Sequence, residues 1–181
     1  MSEQLCLAPL LESYFRRRLA KQRNATPATM ASYRDSLRML ILFAAARLRK
    51  EPAKLVLEEL DRDLVLAFLD ELEEKRNNSV ATRNARLAAI RSFFHHVAAT
   101  DPAAFGVAQR VLAIPTKRAH IEVTHHLNSS EVEAILAAPD QTTRRGRRDR
   151  AFLLFLASTG ARVSEAISVN ASDLHLQPGR P

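Results

Sequence analysis

The stretch SVATRNARLAAIRSFFHHVAAT, residues 79–100, contains a complete set of signals for one long helix. Ser79 is a favoured N-cap residue, and the Thr100–Asp101–Pro102 turn ends the pattern. Between them, apolar residues recur at three- and four-residue intervals on one helical face: Leu87, Ile90, Phe94 and Val97. A helix with one apolar face needs that face to be covered, so the stretch predicts partner helices.

Three earlier stretches show the same period. The first helix has cations near its end, where positive charge interacts favourably with the helix dipole. Thr26 and Pro27 predict the start of a second helix, and Asp61 or Asp63 predicts the start of a third. The apolar stripes are Leu7, Leu10, Leu11, Tyr14 and Phe15 in the first helix, Met30, Tyr33, Leu37, Leu40, Ile41, Ala44 and Leu48 in the second, and Leu64, Val65, Phe68, Leu69 and Leu72 in the third. These patterns predict a four-helix bundle over residues 1–102.

The helical period fails after the bundle, where Gly106 and Pro115 interrupt the sequence. We interpret residues 103–126 as an extended basic linker and residues 127–181 as a second domain. The predicted elements of that domain are a helix capped by Ser129 or Ser130 and ended by Pro139, an arginine-rich loop over 144–150, a buried apolar helix over 152–157, a stop at Gly160, a short helix from Arg162 to about Val169, and a short strand near Leu174–Leu176.

The 181-residue chain carries a net charge of +7, has an isoelectric point near 10.3 and contains one cysteine, Cys6. Uncompensated cations favour an anionic partner, with nucleic acid first, although the same charge also suits a merely soluble protein. A single cysteine cannot form a disulfide within the chain, which favours the reducing cytoplasm. No apolar run approaches the roughly 20 residues that cross a bilayer, and residues 5–11 lack the basic leader of a signal peptide, so we expect no membrane partner.

The stretch STGARVSEA, residues 158–166, places Arg162 after a glycine turn at the end of an apolar helix. Glu165 follows three residues later on the same helical face. Two interpretations stay open at this point. The two residues form a surface ion pair of small energetic value, or the arginine is held near the domain interior as a bidentate clamp for phosphate oxygens.

The longer stretch RDRAFLLFLASTGARVSEAISVNASDL, residues 148–174, resembles the tyrosine recombinases, the family of phage integrases and Xer-like enzymes. A T-G-x-R-x-S-E pattern carries the resemblance and is filled by Thr159, Gly160, Arg162, Ser164 and Glu165. LNSSEVEAILAAP, from residue 127, is similar to the opening helix of that family's catalytic domain. The residues that resemble its N-terminal core-binding domain are Thr29, Tyr33, Leu37, Phe43, Thr82, Arg86, Ile90, Arg91 and Phe93.

The resemblance implies a mainly α fold, in which an N-terminal four-helix core-binding (SAM-like) bundle precedes the incomplete, largely helical start of a mixed α/β catalytic domain. It implies cleavage and rejoining of double-stranded DNA through a phosphotyrosyl intermediate, with other recombinase protomers as partners and with no metal ion or cofactor. Arg162 would stabilise negative charge on the phosphate oxygens of the transition state. Glu165 would orient that arginine, and we expect a positively lined groove beside it.

The sequence also departs from the family pattern. The lysine on a strand hairpin, the H-x-x-R segment and the tyrosine nucleophile have no counterpart in these 181 residues. Tyr14 and Tyr33 lie on apolar stripes, where a packed aromatic is expected. We therefore expect a DNA-binding N-terminal part of a recombinase that does not cleave DNA alone. The alternatives are a stand-alone DNA-binding regulator and a helical protein-interaction module with a basic face.

Several cations are candidates for contact with DNA. Arg83 extends the apolar stripe of the fourth helix to its start, where we expect it to project beyond the core. Cations at the front of a later helix oppose its dipole and indicate an external anion. For any single arginine, a solvated helix face explains the position equally well. The candidate DNA-binding residues are Arg34, Arg38, Arg83, Arg86, Arg91, Lys117, Arg118, Arg144, Arg145, Arg147 and Arg148.

The histidines form two adjacent pairs, His95 with His96 and His125 with His126. Neighbouring side chains on a helix point about 100° apart, so adjacent histidines do not converge on one metal ion. We therefore predict no metal site, a helix-end position for the first pair and a loop position for the second.

Overall fold

The computed structural model describes residues 5–119 and 126–173, which fall into two compact units divided between residues 121 and 122. In these ranges the elements are helices, and the only strand-like pairing is a single antiparallel bridge between Cys6 and Val56. The prediction of a mainly α fold is confirmed. No described helix is long and apolar enough to cross a membrane.

The first unit is a helical bundle. Its N-caps are as predicted: Thr26 Oγ1 accepts a hydrogen bond from Thr29 N, Asp61 Oδ1 from Leu64 N, and Ser79 Oγ from the amide three residues on. The helices are α1 (Leu7–Ser13), which continues into a π-helical segment (Tyr14–Gln22), then α2 (Pro27–Leu48), α3 (Arg62–Glu74), α4 (Val80–Thr100) and α5 (Phe105–Leu112).

The core lies around α4, which contacts the π-helical segment, α2, α3 and α5. The predicted stripe of α4 is fully buried, as is the stripe of α3 apart from a slight exposure of Leu64. Tyr14 is also fully buried, with its ring against the edge of Phe93. Burial of apolar side chains on this scale is the dominant favourable term in folding, so α4 organises the first unit.

The linker predicted to begin at residue 103 is wrong in its first part. Pro102 begins a short 3₁₀ turn (Pro102–Ala104) that leads directly into α5. The helix turns Ala108 and Val111 into the core, and Ile114 after it is equally buried. Gly106 lowers the helical signal in the sequence without breaking the helix, because tertiary packing overrides the weak local propensity.

The α-helices in the described part of the second unit are α6 (Ser129–Ala137), α7 (Arg144–Thr159) and α8 (Val163–Ser168), followed by a 3₁₀ turn (Ala171–Asp173). The N-cap of α6 is Asn128 rather than Ser129 or Ser130, and it forms a capping box with Glu131. The arginine-rich segment is helical rather than a loop, because Thr143 caps α7 by accepting a hydrogen bond from Gly146 N. The predicted stop is confirmed, since Gly160 adopts the left-handed conformation with φ 66°.

The predicted burial of the apolar helix over 152–157 is wrong within this unit. Leu154 is 49% exposed, and Phe152 and Phe155 are only half-buried. Among the described residues of this unit, only Gly146 and Ala166 are buried. The reason is that α6 and α8 are short and cover only part of α7. The strand predicted near Leu174–Leu176 lies outside the described residues.

Gly146 sits where the loop before α7 closes over the first helical turn. A Cβ at this position would lie 1.8 Å from the backbone oxygen of Asp140, so a side chain requires the loop backbone to move. We expect Gly146→Ala to destabilise the start of α7 by about 2 kcal/mol. Hydrogen exchange at the amides of residues 144–150 measures this loss as reduced protection.

The matched control is Gly106→Ala in α5. A Cβ there meets only the end of the Arg110 side chain at 3.8 Å, and alanine favours a helix over glycine, so this change should be neutral or stabilising by up to about 1 kcal/mol. Equal effects of the two substitutions on their own helices would contradict the assignment of a close backbone approach at Gly146.

Candidate nucleic-acid interface

Positive charge is concentrated in the first unit. Residues 5–119 carry 20 lysine and arginine residues against 12 aspartate and glutamate residues, whereas residues 126–173 carry six of each. Nine of those 12 acids lie within residues 51–74, so the other faces of the bundle hold most of the surplus cations. A polyanion is therefore attracted to the bundle, and to the parts of it away from α3.

Arg83 does not project beyond the core. It is 2% exposed, and its Nη1 donates hydrogen bonds to Pro115 O and to Asn84 Oδ1, both at 3.2 Å. Its Nε lies 3.8 Å from Glu73 Oε2, which is an ion-pair distance but too long for a hydrogen bond. The prediction that Arg83 is presented to DNA is wrong, because the segment after α5 folds back over the start of α4 and covers it.

Lys117 belongs to the same cluster. Its Nζ lies 2.6 Å from Glu73 Oε2, and its main chain pairs with the side-chain amide of Asn84: Lys117 N donates to Oδ1, and Nδ2 donates to Lys117 O. The ammonium group of Lys117, which we predicted to contact a phosphate, is therefore paired with the carboxylate of Glu73 instead. Arg118, one residue on, is exposed and has no ion-pair partner among the described residues.

The arginines of α2 and α4 differ in their availability. Arg86 is half-buried, and its Nη1 donates to Ser36 Oγ at 3.0 Å, which joins α4 to α2. Arg34 is exposed but binds the neighbouring carboxylate of Asp35 through Nε and Nη2, both at 3.1 Å. Arg38 is exposed and makes no ion pair with a described carboxylate. Of the residues predicted on α2, Arg38 is thus the better placed to meet an external anion.

The arginines at the start of α7 are largely satisfied within their own unit. Arg147 Nη1 donates to the carbonyl oxygens of Gln141 and Thr142, both at 3.1 Å, and so closes the preceding loop. Arg145 and Arg148 share the carboxylate of Asp149, at 3.8 and 2.6 Å. The side chain of Arg144 has no such partner among the described residues. The prediction that cations at the start of a helix meet an external anion therefore applies to Arg144 and not to the whole group of arginines.

A cluster that the sequence analysis did not assign to DNA lies between the π-helical segment, α2 and α4. It surrounds a surface depression of about 410 Å³. The side chains that line it are Arg18, Arg23, Tyr33, Ala88, Arg91, Ser92 and His95. Only Arg91 was among the predicted contacts. Arg18 and Arg23 fit equally well as cations that suit a helix C-terminus, and no periodicity in the sequence shows that two separate helices bring them beside Arg91.

Arg162 lies at the N-cap of α8, and 82% of its side chain is exposed. Its Nη1 is 3.1 Å from Glu165 Oε1, and its backbone N donates to Glu165 Oε2 at 2.8 Å. Of the two interpretations that the sequence left open, the surface ion pair is the one that forms, and the guanidinium does not lie in the interior of this unit. The expected orienting contact from Glu165 is present, since one carboxylate holds both the backbone and the guanidinium.

The two tyrosines and the His95–His96 pair have separate environments. Burial raises the pKa of Tyr14 to about 12, and its hydroxyl donates to Ser92 Oγ at 2.8 Å. His96 is 6% exposed and lies 3.2 Å from Ser13 Oγ, whereas His95 is exposed. The two histidines therefore point apart, as the helical period predicted. Tyr14 is a core residue, and Tyr33 is half-buried against the same core.

Comparison with known proteins gives the family. Residues 11–100 match the model described as "Phage integrase, N-terminal SAM-like domain", and the chain is 31% identical over 175 residues to tyrosine recombinase XerC of Pelobacter propionicus. This chain belongs to the tyrosine recombinase family. Recombinase-like sequence extends through both units, because that alignment covers 96% of the chain and 55% of the relative. The resemblance carried by the 148–174 stretch is thereby confirmed.

Two further relatives of this recombinase-family chain come from Sinorhizobium fredii, and both are named as integrase/recombinase proteins. The chain is 81% identical to y4rD over 181 residues, which is all of this chain and 64% of that protein. It is 49% identical to y4rC over 179 residues, which is 99% of this chain and 54% of that protein. The chain thus spans about half to two thirds of the length of the relatives that it matches. No solved structure matches it.

Because Arg83 is buried, we expect it to stabilise the folded bundle. We expect Arg83→Met to lower the free energy of unfolding of the bundle by about 2 kcal/mol, because it removes the bond to Pro115 O and leaves Glu73 with one cation. Urea denaturation followed by circular dichroism measures the change. The control is Arg34→Gln, whose exposed pair with Asp35 should contribute within about 0.5 kcal/mol. Similar effects from both changes would contradict this assignment.

His96 makes the stability of the bundle depend on pH. Burial, followed by the charges of Arg18 and Arg17, lowers the pKa of His96 below its usual value of 6.5. The unfolded chain then binds a proton more readily, so stability is complete above about pH 6.5 and falls as the pH drops toward the folded-state pKa.

We expect His96→Gln to flatten this part of the stability curve, whereas His95→Gln at the exposed neighbouring position should leave it in place. Urea midpoints between pH 5 and 8 measure both variants. A wild-type curve that is flat below pH 6.5, or one that His95→Gln flattens equally, would contradict the role of the buried imidazole.

Proposed function

We propose that this chain binds double-stranded DNA through the basic surface of its helical bundle and serves a site-specific recombinase. The observation that supports the proposal most directly is the segregation of charge. The unit that matches the integrase domain carries the surplus of cations, 20 against 12, whereas the described part of the second unit is balanced. A surface of this kind binds a polyanion by releasing its condensed counterions.

The internal contacts rank the predicted DNA-binding residues. Arg38, Arg91, Arg118 and Arg144 make no ion pair with a described carboxylate, so their guanidinium groups are available to phosphate oxygens. The exposed arginines that are paired with neighbouring aspartates contribute less, because DNA must first displace those carboxylates. The latter are Arg34, Arg145 and Arg148.

The reaction that we propose for the whole protein is cleavage and rejoining of DNA strands through a phosphotyrosyl intermediate, in the cytoplasm and together with other protomers. The names of the relatives, integrase/recombinase and tyrosine recombinase, support this proposal. Arg162 would bind the scissile phosphate, with Glu165 as its orienting residue. Tyr14 does not serve as the nucleophile in this proposal, because its side chain is fully buried in the core of the bundle.

Binding of the chain to a labelled duplex should weaken as salt rises. We expect the logarithm of the association constant to fall linearly with the logarithm of salt concentration, since each neutralised phosphate releases counterions. Arg38→Gln and Arg118→Gln should each reduce the slope by about one and weaken binding alike for different DNA sequences. Fluorescence anisotropy between 50 and 300 mM salt measures the slope.

The control is Arg62→Gln on α3. Arg62 lies within the acidic stretch 51–74 and pairs with Asp63 at 3.5 Å, so its loss should leave the slope unchanged. Absence of duplex binding at 50 mM salt, or binding that salt does not weaken, would contradict the proposed function. Equal losses for Arg62→Gln and Arg118→Gln would show that net charge alone, rather than this surface, sets the affinity.

A further inference from the structure

The depression between the π-helical segment, α2 and α4 has a cationic lining without any carboxylate. Its cations are Arg18, Arg23 and Arg91, and the imidazole of His95 lines it beside them. Three other surface depressions of the bundle each include an acidic side chain: Glu12 in one, Glu71 in the second, and Glu59, Asp61 and Asp63 in the third. A cavity lined by one sign of charge focuses the electric field and raises the local concentration of counter-ions.

The arginines of this depression lack the internal partners that other arginines of the bundle possess. Arg62 and Arg76 pair with carboxylates, whereas Arg23 and Arg91 form no ion pair with a described residue. Arg18 Nη1 donates a hydrogen bond to the neutral side-chain oxygen of Gln22 at 3.1 Å, and Arg18 forms no ion pair with a described residue. Like charges held close together are unfavourable unless an anion from outside joins them.

Neutral hydrogen-bond donors stand beside these cations. Ser92 Oγ accepts a hydrogen bond from the Tyr14 hydroxyl at 2.8 Å, so the hydroxyl hydrogen of Ser92 can be donated to another group. Tyr33 lines the same depression and contributes a second hydroxyl. Guanidinium groups with nearby hydroxyl donors are the set that binds the non-bridging oxygens of a phosphate.

The size and the floor of the depression suit a phosphodiester. Its volume of about 410 Å³ would hold roughly a dozen water molecules at about 30 Å³ each, which leaves room for a phosphate group and its hydration. Ala88 lies in the lining and is exposed, so a small side chain keeps the approach between the cations open. The positive charge of the cluster also acts on the interior, since burial and, after it, the charge of Arg18 lower the pKa of His96.

We infer that this depression, formed by Arg18, Arg23, Arg91, Tyr33 and Ser92, is a binding site for a backbone phosphate of duplex DNA. The inference rests on the proposed function and makes it specific, because it assigns a principal phosphate contact to a site that unites three elements of the bundle. The contact is sequence-independent: it positions the duplex and reads no base. Side chains from the π-helical segment, α2 and α4 would then contact the same phosphate.

The sharpest test places a carboxylate in the depression without removing any native contact. Ala88→Glu puts a negative charge among the cations, and Ala88→Gln is its neutral isostere at the same exposed position. We expect Ala88→Glu to weaken duplex binding roughly tenfold relative to Ala88→Gln, through loss of the phosphate. Arg23→Gln and Arg91→Gln should each lower the salt slope by about one, with equal effects on unrelated DNA sequences.

The outcomes separate this site from the general proposal. If the wild type binds duplex DNA with the expected salt dependence and Ala88→Glu binds as tightly as Ala88→Gln, the site is wrong while the proposed function stands. If the wild type binds no duplex, the proposed function is wrong, and the inference that rests on it is wrong as well. If poly-glutamate competes as well as duplex DNA per charge, and the same variants abolish its binding, the depression selects acidic protein rather than DNA and the inference is overturned. Circular dichroism of each variant verifies the fold.

Discussion

Burial of α4 from several sides is the constraint on which the first unit depends. The helix lies against α2, α3, α5 and the π-helical segment, so most of its circumference faces protein. What it leaves to solvent is a narrow strip of small or polar side chains, including Ala81, Ala85, Ala88 and His95. The same packing that excludes water from one side therefore determines which part of the helix an external ligand can approach.

This arrangement explains why arginines of one helix have different roles. Arg83 falls on the core side near the start of α4, where a buried guanidinium must find partners within the protein, and Glu73 and Pro115 O provide them. Arg86 is turned toward α2 and bonds to Ser36. Arg91 lies toward the π-helical segment, where other cations and no described carboxylate surround it. The side of α4 on which an arginine lies, rather than its residue type, therefore determines whether it has a structural or a binding role.

The elements that local signals specify were predictable from the sequence. Thr26, Asp61 and Ser79 cap their helices as expected, because a cap is a contact between residues three positions apart. The helix at 105–112 was missed since its stability comes from burial of Ala108 and Val111 in a core formed elsewhere. The cationic depression was missed for the same reason, because it joins residues more than 60 positions apart in sequence.

The pairing of Arg162 with Glu165 is compatible with a role at a phosphate because of how the carboxylate is held. Glu165 Oε2 accepts a hydrogen bond from Arg162 N at the start of α8, and this capping contact does not involve the guanidinium. The guanidinium uses one nitrogen for Glu165 Oε1 and is otherwise exposed. A phosphate can therefore take the remaining donors of Arg162 while the helix start keeps Glu165, and through it the arginine, in a fixed direction. The contacts that form the surface ion pair between Arg162 and Glu165 are therefore also the contacts that would orient Arg162 toward a phosphate.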